Sequence, residues 1–221
     1  MALVEPRPPV QPGEPAPDFT LPSATGEGTL SLADYRGRSP VLLALFRGVF
    51  CAFCRRGITQ LASSREKLRD VGVETLGVVA SQPERARLYF RFHPARVPLA
   101  ADPELAIHRA YGLPSPVMTP EMVHGLKTTP INPGGELPEA LPILEAVPAL
   151  DRLDRFEETE VDVEERRRQA IERAQLCGHF LVDREGIVRW IDLECDREGL
   201  AGIGKYPSDE ELLVAAKSLL A

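Results

Sequence analysis

The pattern of apolar and polar positions divides the chain into recognisable units. Val41-Leu-Leu-Ala-Leu-Phe46 is a continuous apolar run, which predicts a strand covered on both faces. After it Ile58, Leu61, Arg65 and Leu68 recur at helical spacing, with Leu61 and Leu68 on the inner stripe. Gly72 ends that helix, and Val73–Ala80 reads as a second buried strand. Strand, helix and strand in this order imply a right-handed parallel crossover. Pro83 opens a helix through about Phe92, with Glu84 in its first turn. Val97–Ala100 reads as a short strand, and Pro103 opens a helix that ends near Gly112.

The flanking segments are less regular. Residues 1–17 carry Pro6, Pro8, Pro9, Pro12, Pro15 and Pro17 and read as an extended arm. Asp18–Leu21 reads as a short strand, Gly26 and Gly28 as a turn, and Leu30–Gly37 as a short element. Between Leu113 and Pro148 lie eight prolines with Gly134-Gly135 among them, so no long helix or strand is expected there. We read about 113–160 as a surface insertion anchored by Ile143, Leu144 and Leu150; a disordered linker is the alternative. Val163–Gln175 has helical spacing, with Val163, Ala170, Ile171 and Ala174 on one face and Glu164–Arg168 as an i,i+4 pair. His179–Asp183 and Ile187–Leu193 alternate as hairpin strands around Asp183-Arg-Glu-Gly186. Ser208 and Glu211 form a capping box that opens a final helix. The expected organisation is an arm over 1–17 and one α/β domain over 18–221 carrying the insertion.

Composition narrows the function. The chain has 221 residues, 43% of them hydrophobic, which supports a substantial core. A net charge of −7 argues against a nucleic-acid partner. No apolar run is long enough to span a membrane, and the N-terminus lacks the pattern of a signal peptide. A cytoplasmic location is therefore expected. Four cysteines do not resemble a secreted disulfide framework.

Two of those cysteines carry the strongest chemical signal. Cys51-Ala-Phe-Cys54 lies between a predicted strand and a predicted helix. A helix N-terminus offers free N–H groups and positive potential, both of which favour a thiolate, the nucleophilic form of cysteine. The second cysteine is close enough to trap whatever the first attacks. Neither a G-x-G-x-x-G turn nor a P-loop occurs, so no organic cofactor is implied.

Several motifs add a resemblance. Pro15-Ala-Pro-Asp-Phe-Thr-Leu21, Leu32-Ala-Asp-Tyr-Arg-Gly37, Pro98-Leu-Ala-Ala-Asp102 with Tyr111-Gly112, and Gly178-His-Phe-Leu-Val-Asp-Arg-Glu-Gly186 resemble segments of the alkyl hydroperoxide reductase and peroxiredoxin superfamily. Phe46-Arg-Gly-Val-Phe-Cys-Ala-Phe-Cys-Arg55 is similar to its peroxiredoxin-like subgroup that carries a CxxC. The resemblance covers residues 15–112 and about 176–195. It implies a thioredoxin-like fold, a central mixed sheet flanked by helices. It also implies reduction of a hydroperoxide or a protein disulfide, a cellular thiol reductant such as a thioredoxin, and room for a homodimer.

The departures from the superfamily matter as much. Its Pro-x-x-x-Thr-x-x-Cys motif is altered: with Cys54 at the peroxidatic position, Arg47 stands at the Pro and Cys51 at the Thr. The Arg expected before the second hairpin is replaced by Cys177. A thioredoxin-like reading makes Cys51 the attacking thiol and Cys54 the resolving one; a peroxiredoxin-like reading reverses them. The missing Thr and Arg favour Cys51.

Auxiliary candidates surround the pair. Arg47, Arg55 and Arg56 are cations that would depress a thiol pKa, and at least one of Arg55 and Arg56 is expected to be a solvated surface residue. Cys177 is a candidate third redox thiol, because the resemblance puts its loop against the CxxC with Gly178 where a cis-proline usually sits. His179 is a candidate acid or base. Cys195 reads as structural, Trp190 as core or rim, and His93, His108 and His124 receive no role. The rival readings are a non-catalytic scaffold and a zinc site built from Cys51, Cys54, Cys177 and His179. No metal is assigned on the favoured reading.

Overall fold

The computed structural model describes residues 7–172 and 175–219, with the side chains of 168–174 outside that description. Its strands are β1 (Thr20–Pro22), β2 (Thr29–Ser31), β3 (Val41–Phe46), β4 (Glu74–Val79), β5 (Leu99–Ala101), β6 (Pro130–Ile131), β7 (Leu141–Pro142), β8 (Gly178–Val182) and β9 (Val188–Leu193). Its helices are α1 (Ala52–Asp70), α2 (Pro83–Phe92), α3 (Ala106–Ala110), α4 (Pro120–Thr128), α5 (Ile143–Asp154), α6 (Glu160–Glu172) and α7 (Asp209–Ser218).

Five strands form the central sheet in the order β5-β4-β3-β8-β9. β3 pairs parallel with β4 and antiparallel with β8, so the sheet is mixed and β3 lies at its centre. All six residues of β3 are buried, as the unbroken apolar run predicts. Their side chains alternate between two cores. Leu42, Ala44 and Phe46 face a core shared with Ile58, Leu61 and Leu68 of α1, Leu150 of α5 and Leu212 of α7. Val41, Leu43 and Leu45 face the other, with Ile107, Tyr111, Phe180 and the arm residues Val10 and Ala16. The described arm bonds to the body: Val10 N–H donates to Tyr111 O at 3.1 Å, and Gly13 N–H donates to Val188 O at 2.7 Å.

The predicted crossover, hairpin and capping box are all present. Four expectations are corrected. α3 begins at Ala106 rather than at Pro103, because Leu105 takes a left-handed conformation at its N-terminus (φ 55°). The proline-dense segment holds α4, the β6–β7 hairpin and the 12-residue α5, which runs through Pro148. Proline forfeits one i→i−4 bond. Burial of Ile143, Ala146 and Leu150 along one face of α5 offsets that loss. Ile143 and Leu150 are anchors as expected, but Leu144 points outward and is 49% exposed. In α6 Val163 is also exposed. The remainder of its expected apolar face (Ala170, Ile171, Ala174) and the Arg168 partner of Glu164 fall outside the described side chains.

Candidate active site

β3 delivers the chain to the site at Arg47. Gly48 then turns with φ 149°, where a Cβ would lie 2.7 Å from the Phe50 ring and 2.9 Å from Ser81 Oγ. This turn places Cys51 at the N-cap of α1, its N–H donating to Gly48 O at 3.2 Å. A sulfur at an N-cap stands where a serine or aspartate oxygen normally sits. Cys51 Sγ accepts the Cys54 N–H at 3.3 Å.

The two thiols are in unlike surroundings. Burial would push the Cys51 thiol up, but hydrogen bonding from Cys54 and the Arg47 guanidinium bring it down to about 6. Burial pushes Cys54 well above the usual thiol range, and the adjacent Cys177 and Cys51 sulfurs push it further. Cys51 is 9% exposed, whereas Cys54 is fully covered.

Arg47 is held by Glu194 at the end of β9. Its Nη1 bonds Glu194 Oε2 and its Nη2 donates to Oε1 at 3.0 Å. Glu194 also accepts the N–H groups of Cys177 and Gly204, each at 3.0 Å. Burial would raise its pKa; the Arg47 charge and these bonds hold it below the ordinary glutamate value. One buried carboxylate thus ties together β3, the approach to β8 and the loop before α7. Removing one partner of such a pair commonly costs about 3–5 kcal/mol.

Cys177 lies behind the pair. Its Sγ is 3.7 Å from Cys54 Sγ and the residue is 1% exposed. Tyr206 directs its hydroxyl toward Cys177 Sγ at 4.0 Å. The Tyr206 ring reaches this position over Gly57 of α1, where a Cβ would lie 2.7 Å from it.

Three comparisons relate the chain to known proteins. The AhpC/TSA family profile matches residues 12–139, more than half of the chain. The chain belongs to the AhpC/TSA family. Two Mycobacterium tuberculosis proteins, from strains CDC 1551 / Oshkosh and ATCC 25618 / H37Rv and each bearing the name "Putative peroxiredoxin", are 35% identical to it over 104 residues. That alignment covers 46% of this chain and 63% of each relative, under two thirds of their length. Among solved structures, a reduced 2-Cys peroxiredoxin of Plasmodium vivax superposes with a TM-score of 0.59 at 15% identity, covering 96% of this chain and 83% of the other. The peroxidoxin BcpB of M. tuberculosis gives 0.57 at 11% identity, covering 95% and 98%. The fold is therefore thioredoxin-like, as the motifs implied.

Within this AhpC/TSA scaffold the other candidate residues fall as follows. Arg55 is buried, Arg56 is half-buried, and both are ion-paired rather than free in solvent. Arg55 donates to Asp151 at 2.6 Å, to Asp154 at 2.7 Å and to Val49 O at 3.0 Å, and lies 4.1 Å over the Phe156 ring. Arg56 donates to both Asp154 oxygens at 2.9 Å and pairs with Glu136. Both arginines clasp the 113–160 segment to α1. His179 is buried against the rings of Phe46 and Tyr206, 4.0 Å from Asp192, and burial brings its pKa down to about 4. It is neutral near pH 7, and its ring packs on Phe46 and Tyr206. Burial pushes Cys195 up to about 12. Among the described residues no three His, Cys, Asp or Glu side chains gather as a metal site, and no helix is long and apolar enough to cross a membrane.

Sequence reasoning missed Glu194 and Tyr206. Neither lies in a motif; each is brought to the site by pairing and packing between residues far apart in the chain.

Proposed function

We propose that the chain is a thiol-dependent oxidoreductase that reduces a hydroperoxide or a protein disulfide, with Cys51 as the attacking thiol and Cys54 as the resolving thiol. The contrast between the two sulfurs carries this reading. Cys51 is the outer one, and its surroundings favour the thiolate near pH 7; Cys54 is covered and protonated.

With a hydroperoxide, the Cys51 thiolate attacks the terminal oxygen and the O–O bond breaks. Cys51 becomes a sulfenic acid, and the alkoxide leaves with a proton from solvent as the alcohol. Cys54 then attacks the sulfenic sulfur, an S–S bond forms, and water departs. With a disulfide, Cys51 forms a mixed disulfide, and Cys54 expels the substrate's second sulfur as a thiol. Either route leaves Cys51–Cys54 oxidised, and a dithiol donor such as a thioredoxin returns two electrons. Arg47 acts as a positioning charge that favours the thiolate. The peroxiredoxin resemblance and family membership support the peroxide route, and the outer, first cysteine of a CxxC at a helix N-cap supports the disulfide route. The site residues, the reductant, a homodimer, a cytoplasmic location and the arm-plus-domain organisation all belong to this proposal.

The test is peptide mass spectrometry and turnover after oxidation. The reading expects a two-electron oxidation that enters through Cys51 and leaves Cys54 in a disulfide, and no turnover in Cys51→Ser. Unchanged turnover in Cys51→Ser would overturn it.

A further inference from the structure

We infer that oxidation does not stop at Cys51–Cys54 but moves inward to a buried Cys54–Cys177 disulfide, which returns Cys51 to its reactive form. The inference rests on the roles given above to Cys51 and Cys54.

Cys54 is the sulfur with two neighbours. On one side its N–H holds Cys51 Sγ; on the other its own Sγ is 3.7 Å from Cys177 Sγ. A disulfide bond is about 2.05 Å long. The remaining gap is on the scale that side-chain rotation closes, and the backbone on both sides is already fixed. Cys54 is in the first turn of α1. Cys177 gives its N–H to the Glu194 carboxylate, accepts the Glu194 N–H at 3.0 Å, and follows Leu176, whose N–H donates to Pro114 O at 2.9 Å. Its sulfur is therefore held toward Cys54, and the Tyr206 hydroxyl is placed to donate to it as it ionises.

The step is a thiol–disulfide exchange with no net redox change. The Cys177 thiol loses its proton to solvent and attacks Cys54 Sγ. The Cys54–Cys177 bond forms, the Cys51–Cys54 bond breaks, and the electron pair leaves on Cys51 as a thiolate. A thiol with a low pKa is the better leaving group, and Cys51 is the one whose surroundings bring it to about 6. Before exchange, the free thiol is Cys177, 1% exposed; afterwards it is Cys51, where the N-cap and Arg47 stabilise a negative charge. The exchange moves the disulfide to two covered sulfurs, one fully covered and the other 1% exposed. A reductant arriving from solvent meets Cys51 first and must wait for Cys51 to re-attack Cys54. The oxidised state is shielded from adventitious thiols.

Trypsin makes the test direct. Cleavage after Arg47, Arg55, Arg173 and Arg184 puts Cys51 and Cys54 on one peptide and Cys177 on another. The reduced full-length chain is given one equivalent of cumene hydroperoxide or of an oxidised model dithiol, quenched in acid, blocked with N-ethylmaleimide and digested. The expected product is a cross-linked peptide pair with maleimide on Cys51. A looped Cys51–Cys54 peptide with maleimide on Cys177 would overturn the inference and leave the proposed function standing. No disulfide at either place would overturn both. Cys177→Ser should lose the cross-link, keep the loop and still consume its equivalent of oxidant. In the oxidised state a fluorescent maleimide near pH 6.5 should label wild-type Cys51 and leave Cys177→Ser unlabelled; equal labelling of the two would also overturn the inference.

Discussion

Removing the Arg47 charge should raise the Cys51 pKa and move the rise of the site's reactivity to higher pH. Arg47→Met deletes a cation that lowers the Cys51 thiol but keeps the Cys54 N–H and the helix N-terminus. An opposite charge close to a thiol shifts its pKa by about one to three units. We take the lower end, because hydrogen bonding from Cys54 lowers this thiol more than the Arg47 charge does. From about 6, a shift of about one unit reduces the thiolate fraction near pH 6 from about a half to about a tenth. The alkylation rate there should fall about fivefold, and near pH 8 it should hardly change. The same deletion leaves Glu194 buried without its cation, at a cost of about 3–5 kcal/mol. Arg47→Met with Glu194→Gln removes both charges and should recover much of that stability. Arg47 lowers the Cys51 pKa more than Glu194 raises it, so the pair of substitutions should still move the thiol upward. The assay is iodoacetamide alkylation of Cys51 from about pH 5 to 9, beside urea unfolding. A Cys51 pKa still near 6 in both variants would refute the reasoning and assign the thiolate to the helix N-terminus alone.

Other consequences are open to measurement. With Cys51 at the Thr position and Cys177 at the Arg position, hydrogen peroxide reduction should be about 10²–10³ slower than in a peroxiredoxin that keeps both groups; stopped-flow fluorescence measures it, and an equal rate would show that other residues polarise the peroxide. Cys54→Ser should leave the first oxidation of Cys51 intact but halt it at the sulfenic acid, which dimedone labelling detects. Leu150→Ala should cost about 2–5 kcal/mol, because that side chain is buried in the core beneath α1; denaturant unfolding would show it. Asp154→Asn should weaken the clasp on Arg55 and Arg56 and speed proteolysis of the 113–160 segment with little change in the Cys51 pKa.

The parts of the fold legible in the sequence are those set by local periodicity and end signals. β3 announces itself as an apolar run between Pro40 and Gly48, β4 as a buried strand after Gly72, α1 by its stripe of Leu61 and Leu68, and α7 by the Ser208–Glu211 box. The same rules misjudge 113–160. Proline density argues against long elements, yet Pro148 costs α5 a single backbone bond while one face packs on the core. At the site, the CxxC and its N-cap position were legible because strand, turn and helix start are contiguous. The ion pairs were not. Arg55 meets Asp154 across 99 residues and Arg47 meets Glu194 across 147, separations at which sequence spacing carries no geometry. The nearness of Cys177 was reachable only through the motif resemblance. That it faces Cys54, and is held by Glu194 and Tyr206, came from the packing.

The central claim is that Cys51 is the thiolate that meets the oxidant. Stopped-flow oxidation of the fully reduced chain by hydrogen peroxide, an organic hydroperoxide and a model disulfide, in the wild type and in Cys51→Ser, tests it most directly. The account predicts a fast phase with at least one of the three oxidants, rising with pH through about 6 as Cys51 ionises and absent from Cys51→Ser. A fast phase that survives in Cys51→Ser and disappears in Cys54→Ser would contradict it.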